Sequence, residues 1–290
     1  MISSRRMYVE GFFDPLTRAV SYLLLDSESR QCALIDSVLD YDPRTGNIGG
    51  ANADKLVARV HALGATVQWI IETHVHADHL TAAHYLQQKL GGKTGTGQQV
   101  MAVQQMFGNL FHEGSGFSCE GRQFDHLFAD EECFEVGTLT CRALHTPGHT
   151  PACMTYVVRD ENDIAAFVGD TLFMPELGTA RCDFPGASAR ALYRSINRVL
   201  SLPPYTRLYM CHGVQSDGGE AQFSSTVAEE REANIHVRDG VSEEEFVALR
   251  ARQDAVLDVP DRFLPSVQVN VRAGRFPNWK TRTFNPETSG

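Results

Sequence analysis

The sequence predicts a layered α/β protein, and three observations carry that expectation. Short apolar runs of β-type residues alternate with segments whose apolar residues recur at helical spacing. No flexible linker, low-complexity tract or short-period repeat divides the chain. Clusters of histidine and aspartate each follow an apolar run, which is where α/β proteins place their chemistry on loops. The 290 residues are expected to form one domain, with a core over roughly 7–240 and a C-terminal helix and tail over 241–290.

Val20–Leu25 and Cys32–Asp36 read as strands on either side of the polar turn Asp26-Ser27-Glu28-Ser29. Ala53–Leu63 carries Leu56, Val57, Val60 and Leu63 at helical spacing. Val67–Glu72 is a compact apolar strand, and Ala82–Leu90 a helix stopped by Gly91-Gly92. Phe134–Val136, Leu139–Leu144, Met154–Val158 and Ile164–Val168 are strands separated by turn residues such as Gly137 and Asp160–Asp163. A helix at Ala189–Leu200 precedes a strand at Arg207–Cys211. Two further helices are expected near Thr226–Asn234 and Ser242–Leu257, the second announced by Ser242 with Glu245 three residues on.

Hydrophobic residues make up 42% of the chain and charged residues 21%, an ordinary soluble balance. The net charge of −10 repels nucleic acid and anionic membrane, so neither is an expected partner. An anionic small substrate would need a local cluster of Arg or Lys. Met1–Arg18 lacks the apolar stretch of a signal peptide, and Tyr22–Leu25 is too short to span a bilayer. A cytoplasmic location is therefore expected. Seven cysteines without a Cys-x-x-Cys spacing predict neither a disulfide framework nor a zinc ribbon. Cys141 and Cys153 are expected to be buried, and Cys211 to be a buried thiol at a strand end.

Five of the eleven histidines fall into one pattern. Residues 74–79 read His74-Val75-His76-Ala77-Asp78-His79; Thr146-Pro147-Gly148-His149-Thr150, Val168-Gly169-Asp170-Thr171 and Met210-Cys211-His212-Gly213 follow. Imidazole and carboxylate are ligands for zinc and iron. His61, His84, His112, His126, His145 and His236 stand outside the pattern and read as surface or structural residues. Along an extended segment alternate side chains share a side, so His74, His76 and Asp78 are expected to line one side and His79 a neighbouring position. One segment thus offers ligands for two adjacent metals. Asp170, at the end of a strand, is placed to bridge two metals or cap one, and His212 is expected to end its strand. Read from the residues alone, the set fits two zinc ions and a hydrolase.

Together these motifs resemble the metallo-β-lactamase superfamily, whose fold implies an αββα sandwich of two mixed sheets flanked by helices, with metals at one edge. Longer stretches narrow the resemblance. Ile71–His79, Gly169–Phe173 with Thr179–Phe184, Thr226–Arg231 with Asn234, Leu264-Pro265 and Val269–Gly274 are similar to the persulfide dioxygenases, and the likeness runs over roughly residues 7–275. The resemblance implies that only His74, His149 and Asp170 bind metal and are the catalytic set, with one Fe(II) per chain and no organic cofactor. Two histidines and one carboxylate leave open positions for substrate and dioxygen. His76, Asp78, His79 and His212 would orient the ligands and hydrogen-bond bound water. The implied reaction oxidises glutathione persulfide with O2 and water to sulfite and glutathione. Arg181 and Arg272 are expected to contact the anionic glutathione moiety, with an ion pair to Asp183 as the other use of Arg181. A homodimer is compatible with the resemblance.

The chain departs from the resemblance at one place. Persulfide dioxygenases usually follow the last histidine with Asp-Tyr, whereas here His212 is followed by Gly213-Val214 and then by a Gly-rich stretch, Ser216–Glu220. Loss of the tyrosine hydroxyl predicts weaker binding of glutathione persulfide. The alternative function is a thioester hydrolase of glyoxalase II type, with two metals and a bridging hydroxide. The expected lack of a separate long helical C-terminal domain argues against it. No rhodanese-like extension is expected, so the sulfur donor would be a separate protein or a species in solution.

Overall fold

The computed structural model describes residues 6–110, 117–215 and 219–277. His112 and residues 216–218 of the Gly-rich stretch lie outside the described residues.

The apolar runs fall into two six-stranded sheets. The first has the order β1 (Met7–Phe13), β2 (Val20–Asp26), β3 (Gln31–Ile35), β6 (Thr66–Ile71), β8 (Lys93–Gly97) and β9 (His126–Phe128). The second runs β10 (Cys133–Val136), β11 (Leu139–His145), β12 (Met154–Arg159), β13 (Ile164–Gly169), β14 (Arg207–Val214) and β15 (Gln222–Thr226). A small sheet joins β4 (Val38–Tyr41), β5 (Ile48–Gly49) and β7 (Leu80–Thr81). The helices are α1 (Ala51–Ala62), α2 (Ala83–Leu90), α3 (Val100–Leu110), α4 (Ala189–Leu200), α5 (Val227–Ala233), α6 (Glu243–Asp254) and α7 (Phe263–Asn270).

Strands apolar on both faces explain the layering. In β2, Val20, Tyr22 and Leu24 join the core between the sheets, where Tyr156, Phe167 and Tyr209 of the second sheet meet them. Leu23 and Leu25 point the other way, onto Leu56 and Val60 of α1 and Leu86 of α2. In the second sheet Ala166 and Val168 turn outward to Leu192, Ile196 and Val199 of α4. The result is the expected order of helix, sheet, sheet, helix, with strands buried on both faces.

Local signals set the helix ends. Ser188 caps α4 through Ala191 N, and Thr226 and Ser242 open α5 and α6 with capping boxes closed by Glu229 and Glu245. One expectation is corrected: β14 runs on to Val214, so His212 lies within the strand, bridged to Ala19, and not at its end. All seven cysteines are free thiols, and Cys141, Cys153 and Cys211 are buried. No described helix is long and apolar enough to cross a membrane.

The topology gathers strand ends at one edge. β3, β6 and β8 are mutually parallel, as are β13 and β14, so their C-terminal ends collect together. There Met154 N donates to Thr73 O at 2.9 Å, joining the second sheet to the loop that leaves β6.

Candidate metal centre

The loop after β6 carries the densest motif, and it is not the extended segment that alternation assumes. Glu72–His79 leaves the sheet as an irregular loop, so its side chains part in three directions. His74 groups with His149 and Asp170, His76 with Asp36 and Cys211, and Asp78 with His79 and His76. The loop is held by buried polar groups that the sequence did not single out. Asp36, just past β3, accepts from Thr73 N at 2.7 Å and from the Thr73 hydroxyl at 2.9 Å. It does so with φ of 51°, a left-handed conformation that a non-glycine residue adopts only when its surroundings fix it. From α7, Asn270 Nδ2 donates to the carbonyls of His76 (2.9 Å) and His79 (2.8 Å), while its Oδ1 accepts from Thr81 N at 2.8 Å.

Hydrogen bonds fix the state of the first two histidine rings. The Thr73 hydroxyl donates to the Asp36 carboxylate, so it must accept from His74 Nδ1, 3.0 Å away. That leaves His74 Nε2 without a proton. Burial, with His76 and His149 nearby, holds the His74 pKa well below the usual imidazole range, so the ring stays neutral. His149 Nδ1 donates to the carbonyl of Arg181 at 2.9 Å, which in the neutral ring leaves Nε2 bare. Asp170 Oδ2 lies 3.8 Å from His74 Nε2 and 3.4 Å from His149 Nε2. Three lone-pair atoms thus face one another, and buried His74 Nε2 has no hydrogen-bond partner. Such an arrangement is repulsive unless a cation sits among the three, so these residues fit a metal ion.

Two glycines allow the approach. Gly148 (φ 149°) precedes His149, and a Cβ there would stand 2.3 Å from the backbone of Leu192 in α4. Gly169 (φ 54°) precedes Asp170, and its Cβ would meet the Thr73 hydroxyl at 2.6 Å.

His76 is drawn elsewhere. Its Nε2 lies 3.0 Å from Asp36 Oδ1 and 3.2 Å from Glu72 Oε2, and its Nδ1 is 3.9 Å from Cys211 Sγ. Burial opposes a charge on this ring, but Cys211 and Asp36 outweigh it and raise the His76 pKa well above the usual range. Burial likewise pushes up the Glu72 carboxyl, whose Oε1 accepts from the Thr81 hydroxyl at 2.6 Å.

On the other side of Asp170, its Oδ1 faces His212 Nε2 at 3.5 Å, and His212 Nε2 faces Asp78 Oδ2 at 3.5 Å. His79 Nδ1 is 3.4 Å from Asp78, while His79 Nε2 and Asp170 Oδ1 are buried without hydrogen-bond partners. Burial works against the Asp78 charge, yet His79 and His212 hold its pKa well below the usual carboxylate range. All seven motif residues therefore meet at one edge, with Asp170 turned to both sides.

A family model described as the metallo-beta-lactamase superfamily matches residues 16–212. The chain belongs to that superfamily. Within it, the chain is similar to a probable metallo-hydrolase of Burkholderia pseudomallei, 61% identical over 93% of this chain and 94% of that protein. It is 42% identical to Glyoxylase B2 of Dictyostelium discoideum, over 94% of this chain and 93% of that protein. It is 30% identical to the mitochondrial persulfide dioxygenase ETHE1 of Homo sapiens, over 94% and 91% of the two chains. The crystal structure of ETHE1 from Myxococcus xanthus matches with a TM-score of 0.72 at 28% identity, over 93% of this chain and 100% of that one.

The two arginines expected to meet substrate have other attachments in this superfamily member. Arg181 pairs with Asp183 through Nε (2.6 Å) and Nη2 (2.5 Å), donates from Nη1 to Asp258 O at 2.8 Å and lies 4.7 Å over the Phe184 ring. Arg272 donates to Gln268 O at 2.5 Å and stacks 4.4 Å over Phe117. Gly213 backs onto Phe13, where a Cβ would stand 3.0 Å from the ring, so an aspartate there needs Phe13 to move. His145 and His236 are structural as expected: His145 Nε2 donates to Pro151 O, and His236 Nδ1 accepts from Thr179 N. A signal for Asp36 exists in the sequence, since it ends an apolar strand just as Asp170 does. Glu72 carries the same sign, at the end of Val67–Glu72, and Asn270 carries none.

Proposed function

We propose that this chain is a glutathione-dependent persulfide dioxygenase that works with one Fe(II) held by His74, His149 and Asp170. The observation that carries this reading is a compact triad that leaves out His76. The ligand atoms of the three residues lie within 4.8 Å of one another, and His76 falls into other groupings. Two histidines and a carboxylate leave coordination positions open, which suits Fe(II) with dioxygen and a soft sulfur substrate. The 30% identity to the human persulfide dioxygenase over nearly the whole chain supports the same reading.

The reaction converts glutathione persulfide, O2 and water into glutathione, sulfite and two protons; the terminal sulfur is oxidised and dioxygen reduced. Bound iron supplies the one-electron chemistry and the open positions. The protein supplies the rest. Thr73 and the Arg181 carbonyl fix the two imidazoles with their bare Nε2 atoms inward. Asp78 and His212, with side chains 30% and 18% exposed, form the wetter flank, where the His212 imidazole is the candidate to accept a released proton and the Asp78 carboxylate its counter-charge. The Phe184 ring packs edge-on against the ring of His149, 5.5 Å away.

A dinuclear hydrolase of glutathione thioesters remains the second reading: the relatives named metallo-hydrolase and Glyoxylase B2, at 61% and 42% identity, favour it over the persulfide dioxygenase at 30%, and so does one feature of the site. Asp170 Oδ1 and His79 Nε2 are buried without partners on the side where a second ion would sit. The test is dioxygen uptake by the Fe(II)-loaded protein on addition of glutathione persulfide. Uptake with stoichiometric sulfite is expected. No uptake with one iron per chain verified, or hydrolysis of a glutathione thioester with two zinc per chain, would contradict the proposal.

A further inference from the structure

We propose that the buried pair of Arg250 and Asp254 on α6 positions the metal ligand His149, acting through the backbone of residues 179–183. The inference rests on the reading of His149 as a metal ligand and holds for either reaction at the centre. Residues 179–183 form neither helix nor strand, and among the described residues no backbone–backbone hydrogen bond reaches them. Side chains hold their main-chain polar groups instead. Thr179 N donates to His236 Nδ1 at 3.0 Å. Arg250 Nη1 donates to Thr179 O at 3.2 Å, and Asp254 Oδ2 accepts from Cys182 N at 2.8 Å. Between these two ties stands Arg181, whose carbonyl accepts from His149 Nδ1 at 2.9 Å. The carbonyl that keeps the proton on Nδ1, and so leaves Nε2 free for a metal, is thus placed from α6.

Both side chains are buried, and Arg250 forks onto Asp254 through Nε and Nη2. A buried ion pair adds little to stability over apolar side chains of similar size. What distinguishes this one is that both partners also bind the same short backbone segment. The frame they belong to is continuous with the ligand. α6 docks on α4 through Phe246, which shares a core with Leu192 and Ile196. Tyr193 of α4 donates to Val241 O at 2.7 Å, just before α6 begins. The same α4 holds the turn that precedes His149. Ser195 Oγ donates to Pro147 O at 2.6 Å, and Ser188 N donates to Gly148 O at 2.8 Å. One helix therefore fixes the backbone beside His149, and the helix docked on it fixes the acceptor of its ring. The Arg181 side chain adds a further tie, from Nη1 to Asp258 O just past α6.

The test removes the pair without leaving a lone buried charge. R250M/D254L replaces it with apolar side chains, and R250M/D254N restores an oxygen able to accept from Cys182 N. Two readouts are taken on the full-length chain, with circular dichroism and thermal melts as checks of folding. The first is the His149 tautomer in the metal-free protein, from nitrogen-15 NMR of the ring at mildly alkaline pH. The second is Fe(II) affinity by anaerobic competition titration. The wild type should carry the His149 proton on Nδ1. R250M/D254L should shift it toward Nε2 and bind Fe(II) about tenfold more weakly, while R250M/D254N stays within about threefold of wild type. His74, set by Thr73 on another loop, should keep its Nδ1 proton in every variant, a selectivity that a merely structural role would not produce. A folded R250M/D254L with wild-type tautomer and affinity overturns the proposal, as does an R250M/D254N no better than it. A wild type with the His149 proton on Nε2 overturns it too. Should R250M/D254L fail to fold, R250K decides. Its ammonium keeps the pair with Asp254 but lacks the planar fork, so a partial tautomer shift is expected and none overturns the proposal. H149A separates the inference from the reading beneath it: Fe(II) bound as tightly as by wild type would strike His149 from the ligands, and the inference with it, whatever the tautomer.

Discussion

His149 and His212 belong to the same half of the sandwich and face the two oxygens of one carboxylate, yet they are held differently. The His149 side chain is 5% exposed, and its Nδ1 is tied to a backbone carbonyl at 2.9 Å. The His212 side chain is 18% exposed, and its ring has Asp78 and Asp170 as neighbours at 3.5 Å and the edge of Phe173. The same contrast separates His74, fixed through Thr73 and Asp36, from His79, whose Nδ1 has its own neighbour Asp78 at 3.4 Å. A metal ligand must present one lone pair in one direction, and the first side is built to do that before any ion arrives. The second side offers the same residue types with looser orientation and, at His212 and Asp78, more exposure. Residue identity alone therefore does not distinguish a ligand from a proton-handling group; the partner of the other ring nitrogen does.

The largest break in this comparison should come from D170A, which removes the carboxylate both sides share. Bound iron should fall to background, and persulfide-dependent dioxygen uptake should drop by about a thousandfold or more, checked by metal analysis and an oxygen electrode. T73V keeps the shape of the side chain but removes the hydroxyl that sets the His74 tautomer. Iron affinity should weaken by about 10–100-fold in a competition titration, and an unchanged affinity would show that the tautomer is not set this way. H212A probes the looser side. It should keep its iron, with affinity within about threefold of wild type, while turnover falls roughly tenfold. Loss of iron from H212A would erase the distinction between the two sides.

The smallest effect concerns a buried carboxylate that is not a ligand. Burial raises the pKa of Glu230 to about 7, even though Ser225 and Asn234 hydrogen-bond to it. Because the folded pKa lies above the unfolded value, the folded state binds the extra proton. Its stabilising contribution is complete below about pH 4.5 and is lost as pH rises through about 7, a swing of about 3 kcal/mol. E230Q should therefore gain stability relative to wild type between pH 5 and pH 8 in urea melts. Parallel pH profiles would remove Glu230 from the account.

Much of this was legible in the sequence. The strands that are apolar along their length, such as β2, β12 and β13, and the helices with clear caps, such as α4 and α6, stand where their patterns place them. So do the seven motif residues at one edge, because six of them follow a strand whose end the fold fixes and His212 lies near the end of β14. β8, with the sequence Lys93-Thr94-Gly95-Thr96-Gly97, shows no apolar alternation and is legible only from its two parallel neighbours. The division of labour among the seven residues was not legible either. It depends on Asp36, 40 residues before His76, and on Asn270, 194 residues after it. Alternation failed at His76 for the same reason: the loop takes its shape from these distant partners and not from strand geometry. The attachment of Arg181 to Asp258 is likewise a contact between segments that sequence spacing cannot relate.

The most direct test of the central claim is an anaerobic Fe(II) titration of the metal-free wild-type protein, with bound iron counted per chain. One tight equivalent, with further iron left in solution, is the result expected for a site closed by His74, His149 and Asp170 alone. Two tight equivalents per chain would contradict it and make the looser side a metal site in its own right.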